Sequence, residues 1–271
     1  MKEVIKAELK FPDETIDQFQ GGIRHRFTFK GRDAWVVEPI PFYAWEDSSN
    51  WDEENHTVCN PHKEISPRKW FWLPEWPTAF PDRNGVKELL ELGYTMIHVN
   101  VYDYFGNPEA VEIMHDFYTY LRSFNFAEKG ALIGMSLGGL YSFRYAATYP
   151  ESVACIYADA PVCDFACYTR RPIKDRLIHL QKAYGVEDVI DHPLAPVNNF
   201  TPIAKAQIPI LLILGMDDAV IPPEENGELL ARRFAEAGGT IEVLRRNSWG
   251  HHPHGLQNPA KILRFILRYI G

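Results

Sequence analysis

The stretch Ala131-Leu-Ile-Gly-Met-Ser136-Leu-Gly-Gly-Leu140 constrains the fold more than any other part of the chain. An apolar run suited to a buried strand passes through Gly-x-Ser-x-Gly directly into a helical pattern. Such a tight strand-to-helix turn tolerates only small neighbours. Gly134 and Gly138 allow strand and helix to approach closely while the Ser136 hydroxyl projects outward. Helix N–H groups and the positive end of the helix dipole then face that hydroxyl, which suits a developing oxyanion, with the Leu137 N–H as the first donor. A Walker loop would need Lys-Ser or Lys-Thr after the turn, and a dinucleotide turn would need Gly-x-Gly-x-x-Gly; neither is present.

Around this turn, short apolar runs alternate with helical patterns. Strands are expected at 69–72, 95–101, 131–135, 153–159, 210–215 and 241–245. Helices are expected at 84–92, 108–123, 138–149, 223–237 and 259–270. Residues 24–39 read as a hairpin around the turn Lys30-Gly-Arg-Asp33. The alternation implies an α/β fold, a mainly parallel twisted sheet of about eight strands with helices on both faces. Two stretches break the pattern. The polar, aromatic segment 41–68 reads as a surface insertion, and 164–207 reads as a lid over the carboxyl ends of the strands. With 271 residues, a single domain over 1–271 is expected.

A serine needs a base and a group to orient it, and both follow in the order Ser, Asp, His. The strand ending at Gly215 runs into Met216-Asp217-Asp218-Ala-Val-Ile-Pro222, where Asp218 is the expected acid. Asp217 is the near alternative, and Asp159, at the end of the preceding strand, is a third. The base is His251 in Asn247-Ser-Trp-Gly-His-His-Pro-His-Gly255, after the last strand. His252 and His254 are candidate substrate contacts, as are Trp70, Trp249, Arg170 and Arg171, although packing is the commoner role of a tryptophan and solvation that of an arginine pair. His251, His252 and His254 also form a metal-like cluster, but a metal would leave the serine turn unexplained. His56, Cys59 and His62 with Glu54 form a second, read as an ordinary polar loop. No metal and no cofactor is therefore expected.

The charge balance, 36 acidic against 28 basic side chains, works against nucleic-acid and anionic-membrane partners. No run of apolar residues reaches membrane-spanning length and the N-terminal residues have no apolar core, so cytoplasmic residence is the expectation. Four scattered cysteines, Cys59, Cys155, Cys163 and Cys167, suggest reduced, mostly buried thiols.

In Gly134–Gly138, Asp218 and Gly250-His251, and in element order over residues 24–271, the chain resembles the α/β-hydrolase family. The resemblance implies a serine hydrolase whose second oxyanion donor is a backbone N–H after the strand at 69–72, from Trp72 or Leu73, since Pro74 has none. The His-Gly wording many members carry there is missing. Trp-Phe-Trp at 70–72, Ala158-Asp-Ala-Pro-Val-Cys163 and Gly250–Gly255 are similar to a bacterial branch with carbohydrate esterases among its relatives. The implied substrate is a small-molecule carboxylic ester; the competing functions are peptide or amide hydrolysis by the same triad, and ligand binding without catalysis. Oligomeric state is not legible.

Overall fold

The computed structural model describes residues 9–39, 51–52, 57–58, 67–170 and 175–271. Among the described residues the main sheet has nine strands, one more than the sequence suggests, in the order β1-β2-β3-β7-β6-β8-β9-β10-β11. The first three, β1 (Thr15–Phe19), β2 (Gly22–Phe29) and β3 (Arg32–Glu38), form an antiparallel meander. The other six are β6 (Trp70–Trp72), β7 (Thr95–Val99), β8 (Gly130–Met135), β9 (Val153–Asp159), β10 (Ile210–Gly215) and β11 (Ile241–Arg246). These six run parallel, and β3 joins them antiparallel at β7. Two-residue strands β4 (Trp51–Asp52) and β5 (Thr57–Val58) pair with each other within the expected insertion; the rest of 41–66 lies outside the described residues.

Both faces of the parallel strands inside the edge strand β11 are buried, so these strands read as continuous apolar runs rather than alternating ones. Alternation appears instead in which core each residue joins. Trp70 and Trp72 enter one core with helices α2 (Pro108–Arg122), α3 (Leu137–Thr148) and α7 (Gly227–Glu236). Phe71 enters the other, with α1 (Val86–Glu91) and α8 (Ala260–Ile270). Helix α8 commits Ile262, Phe265, Ile266 and Ile270 to that second core, the i, i+3, i+4 stripe of an amphipathic helix.

Segment 164–207 contains the short helices α4 (Cys167–Arg170), α5 (Arg176–Tyr184) and α6 (Thr201–Lys205). It does not sit apart as a flap. Phe165, Cys167, Tyr168, Leu180, Val189, Ala195, Val197, Ile203 and Ala204 are buried members of the larger core. Cys155, Cys163 and Cys167 are buried, and burial pushes up the Cys155 and Cys163 ionisations; Cys59 lies outside the described residues. Among the described residues no helix is long and apolar enough to cross a membrane.

Candidate active site

Strand β8 delivers Ser136 and α3 begins one residue later. Ser136 takes φ 50° and ψ −117°, a backbone conformation that costs an L-residue of order 1–3 kcal/mol. Tertiary bonds hold it there: its N–H donates to the Asp159 carbonyl at 2.9 Å, and its carbonyl accepts from Gly139 and Val162 N–H at 3.0 Å each. The two glycines of the turn answer to different neighbours. A Cβ on Gly134 would meet the Gly138 carbonyl oxygen, the Gly139 Cα and the Ser142 Oγ at 2.7 Å, so helix and strand touch through it. Gly138 faces the backbone and Cβ of Glu75, 3.3–3.6 Å from where its own Cβ would stand. The loop after β6 is thereby pressed onto the first turn of α3.

The loop after β10 supplies Asp218, buried at 4% exposure. Its Oδ1 accepts the N–H groups of Val220 and Ile221 at 2.8 Å each, a local turn that orients the carboxylate. Its Oδ2 lies 2.7 Å from His251 Nδ1, and His251 Nε2 lies 3.0 Å from Ser136 Oγ. The structure thus brings Ser136, His251 and Asp218 into one chain of hydrogen bonds. Asp217 is exposed, and it is Asp218 that holds His251 Nδ1. Asp159 is used differently: its Oδ1 is 2.7 Å from His254 Nδ1 and its Oδ2 accepts the Gly255 N–H at 2.9 Å.

Ser136, Leu137, His251, His252 and His254 line a pocket of about 340 Å³. Trp76, Ala79 and Phe80 from the loop after β6, Tyr168 and Arg176 from 164–207, and Val220 and Ile221 beside Asp218 complete it. Trp76 and Phe80 hold φ of 56° and 49°, so their loop, like the serine turn, is kept in a left-handed conformation by its surroundings. Arg176 also borders a neighbouring cavity of about 860 Å³ with Tyr102, Asp103, Tyr104 and Phe105. Burial, together with the nearby His251 and His254, lowers the His252 ionisation.

Two buried groups support the loop after β6. His98 Nδ1 donates to the Leu73 carbonyl at 2.8 Å, and burial drives this imidazole down to about 4, so it is neutral near pH 7. Glu75 is 6% exposed; its Oε1 accepts the Trp76 N–H at 3.1 Å, and its Oε2 has no hydrogen-bond partner among the described residues. Burial pushes the Glu75 carboxyl up to about 7, against the pull of the Trp76 N–H and the Arg176 charge.

Several expected contacts fall elsewhere. The Leu73 N–H is bonded to the Ile97 carbonyl at 3.3 Å and Trp72 is buried between β7 and β8, so neither reaches the pocket; Trp76, four residues beyond the end of β6, does. Trp70 is a core residue whose Nε1 donates to the Ala127 carbonyl at 2.8 Å. Trp249 packs under the Arg246 guanidinium, 3.5 Å from its ring centre, instead of facing the serine. Arg170 pairs with Glu225 at 3.1 Å, and Arg171 lies outside the described residues, as do Glu54, His56, Cys59 and His62. Sequence reasoning missed Arg176, Tyr168, Phe80 and Ile221; only the prolines following Trp76 and Phe80 hinted at a constrained loop.

Residues 114–271 match the sequence profile of the prolyl oligopeptidase family. Among solved structures, the chain is similar to a Mycobacterium tuberculosis puromycin-hydrolyzing peptidase at 16% identity and TM-score 0.62, covering 98% of this chain and 41% of that one. It is similar to a Pyrococcus horikoshii acylaminoacyl peptidase at 14% and 0.59, covering 97% and 41%. An S-formylglutathione hydrolase from Agrobacterium tumefaciens aligns at 13% and 0.59, covering 95% and 99%. The chain therefore spans about two fifths of the peptidases it matches, and at these identities the likeness establishes the α/β-hydrolase fold alone. No curated protein sequence matches the chain. Matched over more than half its length, and with this fold, the chain belongs to the prolyl oligopeptidase family of serine hydrolases.

Proposed function

We propose that the chain hydrolyses carboxylic esters through an acyl-enzyme on Ser136. The carrying observation is the hydrogen-bonded series Ser136 Oγ, His251, Asp218, at 3.0 and 2.7 Å. His251 Nε2 takes the proton as Ser136 Oγ attacks the carbonyl, and Asp218 stabilises the imidazolium through Nδ1–H. The tetrahedral oxyanion draws on the Leu137 N–H, one of the first-turn donors of α3 without a helical partner, and on a backbone donor from the loop after β6, where Trp76 lines the pocket. His251 then protonates the leaving alkoxide, and a water deprotonated by the same ring releases the acid.

The pocket walls favour an ester over a peptide. Among the described residues lining the small pocket none is a carboxylate able to hold a peptide α-ammonium group beside Ser136; Asp103, Glu109 and Asp175 line only the larger cavity, with Arg176 as a cation between the two. A short acyl group fits the former and a bulkier alcohol the latter. A sugar is one such alcohol, and the guanidinium suits a carboxylate on it. The family and two of the similar structures favour the peptidase alternative.

A panel of short-chain p-nitrophenyl esters against free and blocked aminoacyl anilides separates the two. Ester turnover that vanishes in Ser136→Ala, with anilides untouched, is the expected result. An anilide kcat/KM within about tenfold of the best ester would replace the ester reading with the peptidase one.

A further inference from the structure

His251, His252 and His254 bring their rings together at centroid separations of 4.7, 4.8 and 4.8 Å, and one ligand nitrogen of each lies within 4.8 Å of the others. Two of the three are braced from behind. Asp218 holds His251 through Nδ1, and Asp159 holds His254 through Nδ1, each at 2.7 Å, so both rings offer Nε2 at their other edge. A carboxylate behind the distal nitrogen is the usual support of a metal-bound imidazole, fixing its tautomer and raising its basicity. Hydrolysis through Ser136 has no use for the His254–Asp159 pair as proton carrier, and Asp159 is a buried carboxylate spent on that ring and on the Gly255 N–H.

From this geometry we infer a regulatory Zn²⁺ site on His251, His252 and His254, in which the metal and the catalytic serine compete for one lone pair. Imidazole nitrogens about 2.0–2.1 Å from a tetrahedral zinc stand roughly 3.3 Å apart, closer than the present spacing. The exposed His252 is the ring freest to move toward the other two, whereas His251 and His254 are buried and braced and need only small ring adjustments. Three histidines leave a fourth position for water or for Ser136 Oγ, which already stands 3.0 Å from His251 Nε2. Zinc on that Nε2 occupies the electron pair that would accept the serine proton. The bound enzyme has a serine without a base, and removing the ion restores it.

The direct test is calorimetric titration of ZnCl₂ into the Ser136→Ala protein, which keeps all three histidines, alone and combined with His252→Ala or Asp159→Asn. One ion bound with micromolar affinity is expected, weakened at least about tenfold by either added change. His252 is exposed, so its variant remains informative if loss of the buried Asp159 carboxylate unfolds the chain. In parallel, zinc is expected to slow fluorophosphonate labelling of the wild type at least about tenfold and EDTA to reverse it. The slowing, measured as a ratio within each protein, is lost in His252→Ala. Absence of binding up to about 100 μM zinc would overturn the site. So would binding that His252→Ala leaves unchanged, which would place the ion elsewhere, for instance among His56, Cys59 and His62. Because the titration uses a protein lacking the nucleophile, it decides the metal site even if Ser136 proves unreactive.

Discussion

Asp218→Asn is expected to lower kcat by about 10⁴-fold while leaving the protein folded and KM little changed. The size follows from the turn that holds the side chain. Oδ1 of Asp218 accepts two backbone N–H groups, from Val220 and Ile221, so an asparagine must place its carbonyl oxygen there. Its NH₂ group then faces His251, where Asp218 now places Oδ2. A donor at that position forces Nδ1 to accept, puts the ring proton on Nε2, and so removes the acceptor that Ser136 requires. The bond between residues 218 and 251 survives while its polarity is reversed. Steady-state kinetics on the best ester substrate check this: a loss of less than about tenfold would mean that Asp218 does not set the tautomer of the working base.

Glu75→Gln is expected to stabilise the protein by roughly 3 kcal/mol above pH 8 and by almost nothing near pH 4.5. The buried carboxyl titrates at about 7 in the folded chain against its ordinary 4.5. Between those values the folded state holds a proton that the unfolded state has released, so stability falls as pH rises through that window. Below 4.5 both states are protonated and the contribution is fully present. Above 7 the folded state must carry a buried charge with Oε2 unpaired, partly offset by Arg176. Glutamine imitates the protonated carboxyl, and its carbonyl can still accept the Trp76 N–H. Urea unfolding of both proteins at pH 5 and pH 8.5 measures the difference. A gap that does not grow with pH would show that Glu75 is solvated or paired in solution.

The parts of the fold that were legible are those whose signal is local or whose burial is complete. Strands β9 and β10 fall at the expected residues because strands buried on both faces are written as unbroken apolar runs. The serine turn announces itself through glycines that sterics demand, and the acid and base follow because each sits in a loop at the end of a recognisable strand. Strand β1, Thr-Ile-Asp-Gln-Phe, was not legible: at the sheet edge almost all of it is exposed, so no apolar alternation marks it. The helical pattern over 223–237 is one continuous run in sequence, yet the structure divides it at Asn226. That side chain accepts the N–H groups of Cys163 and Asp164 at 2.9 and 3.0 Å, a tertiary demand that periodicity cannot reveal.

The pocket walls were the least legible part of the site. Tyr168 and Arg176 come from 164–207, where short helices take their positions from the core they pack on rather than from a repeating pattern. Aromatic composition also misdirected the choice of substrate contacts. Trp70 and Trp249 carry the flat faces expected of a binding site, but one is enclosed in the sheet core and the other is covered by Arg246, while Trp76 reaches the pocket from a loop held at positive φ.

Intact mass after fluorophosphonate treatment, on the wild type and on Ser136→Ala in parallel, tests the account at its centre. One adduct on the wild type and none on the variant is the predicted result. A folded wild type that takes no adduct, or an adduct that persists in Ser136→Ala, would contradict an activated Ser136, and the former would favour a ligand-binding role for the same pocket.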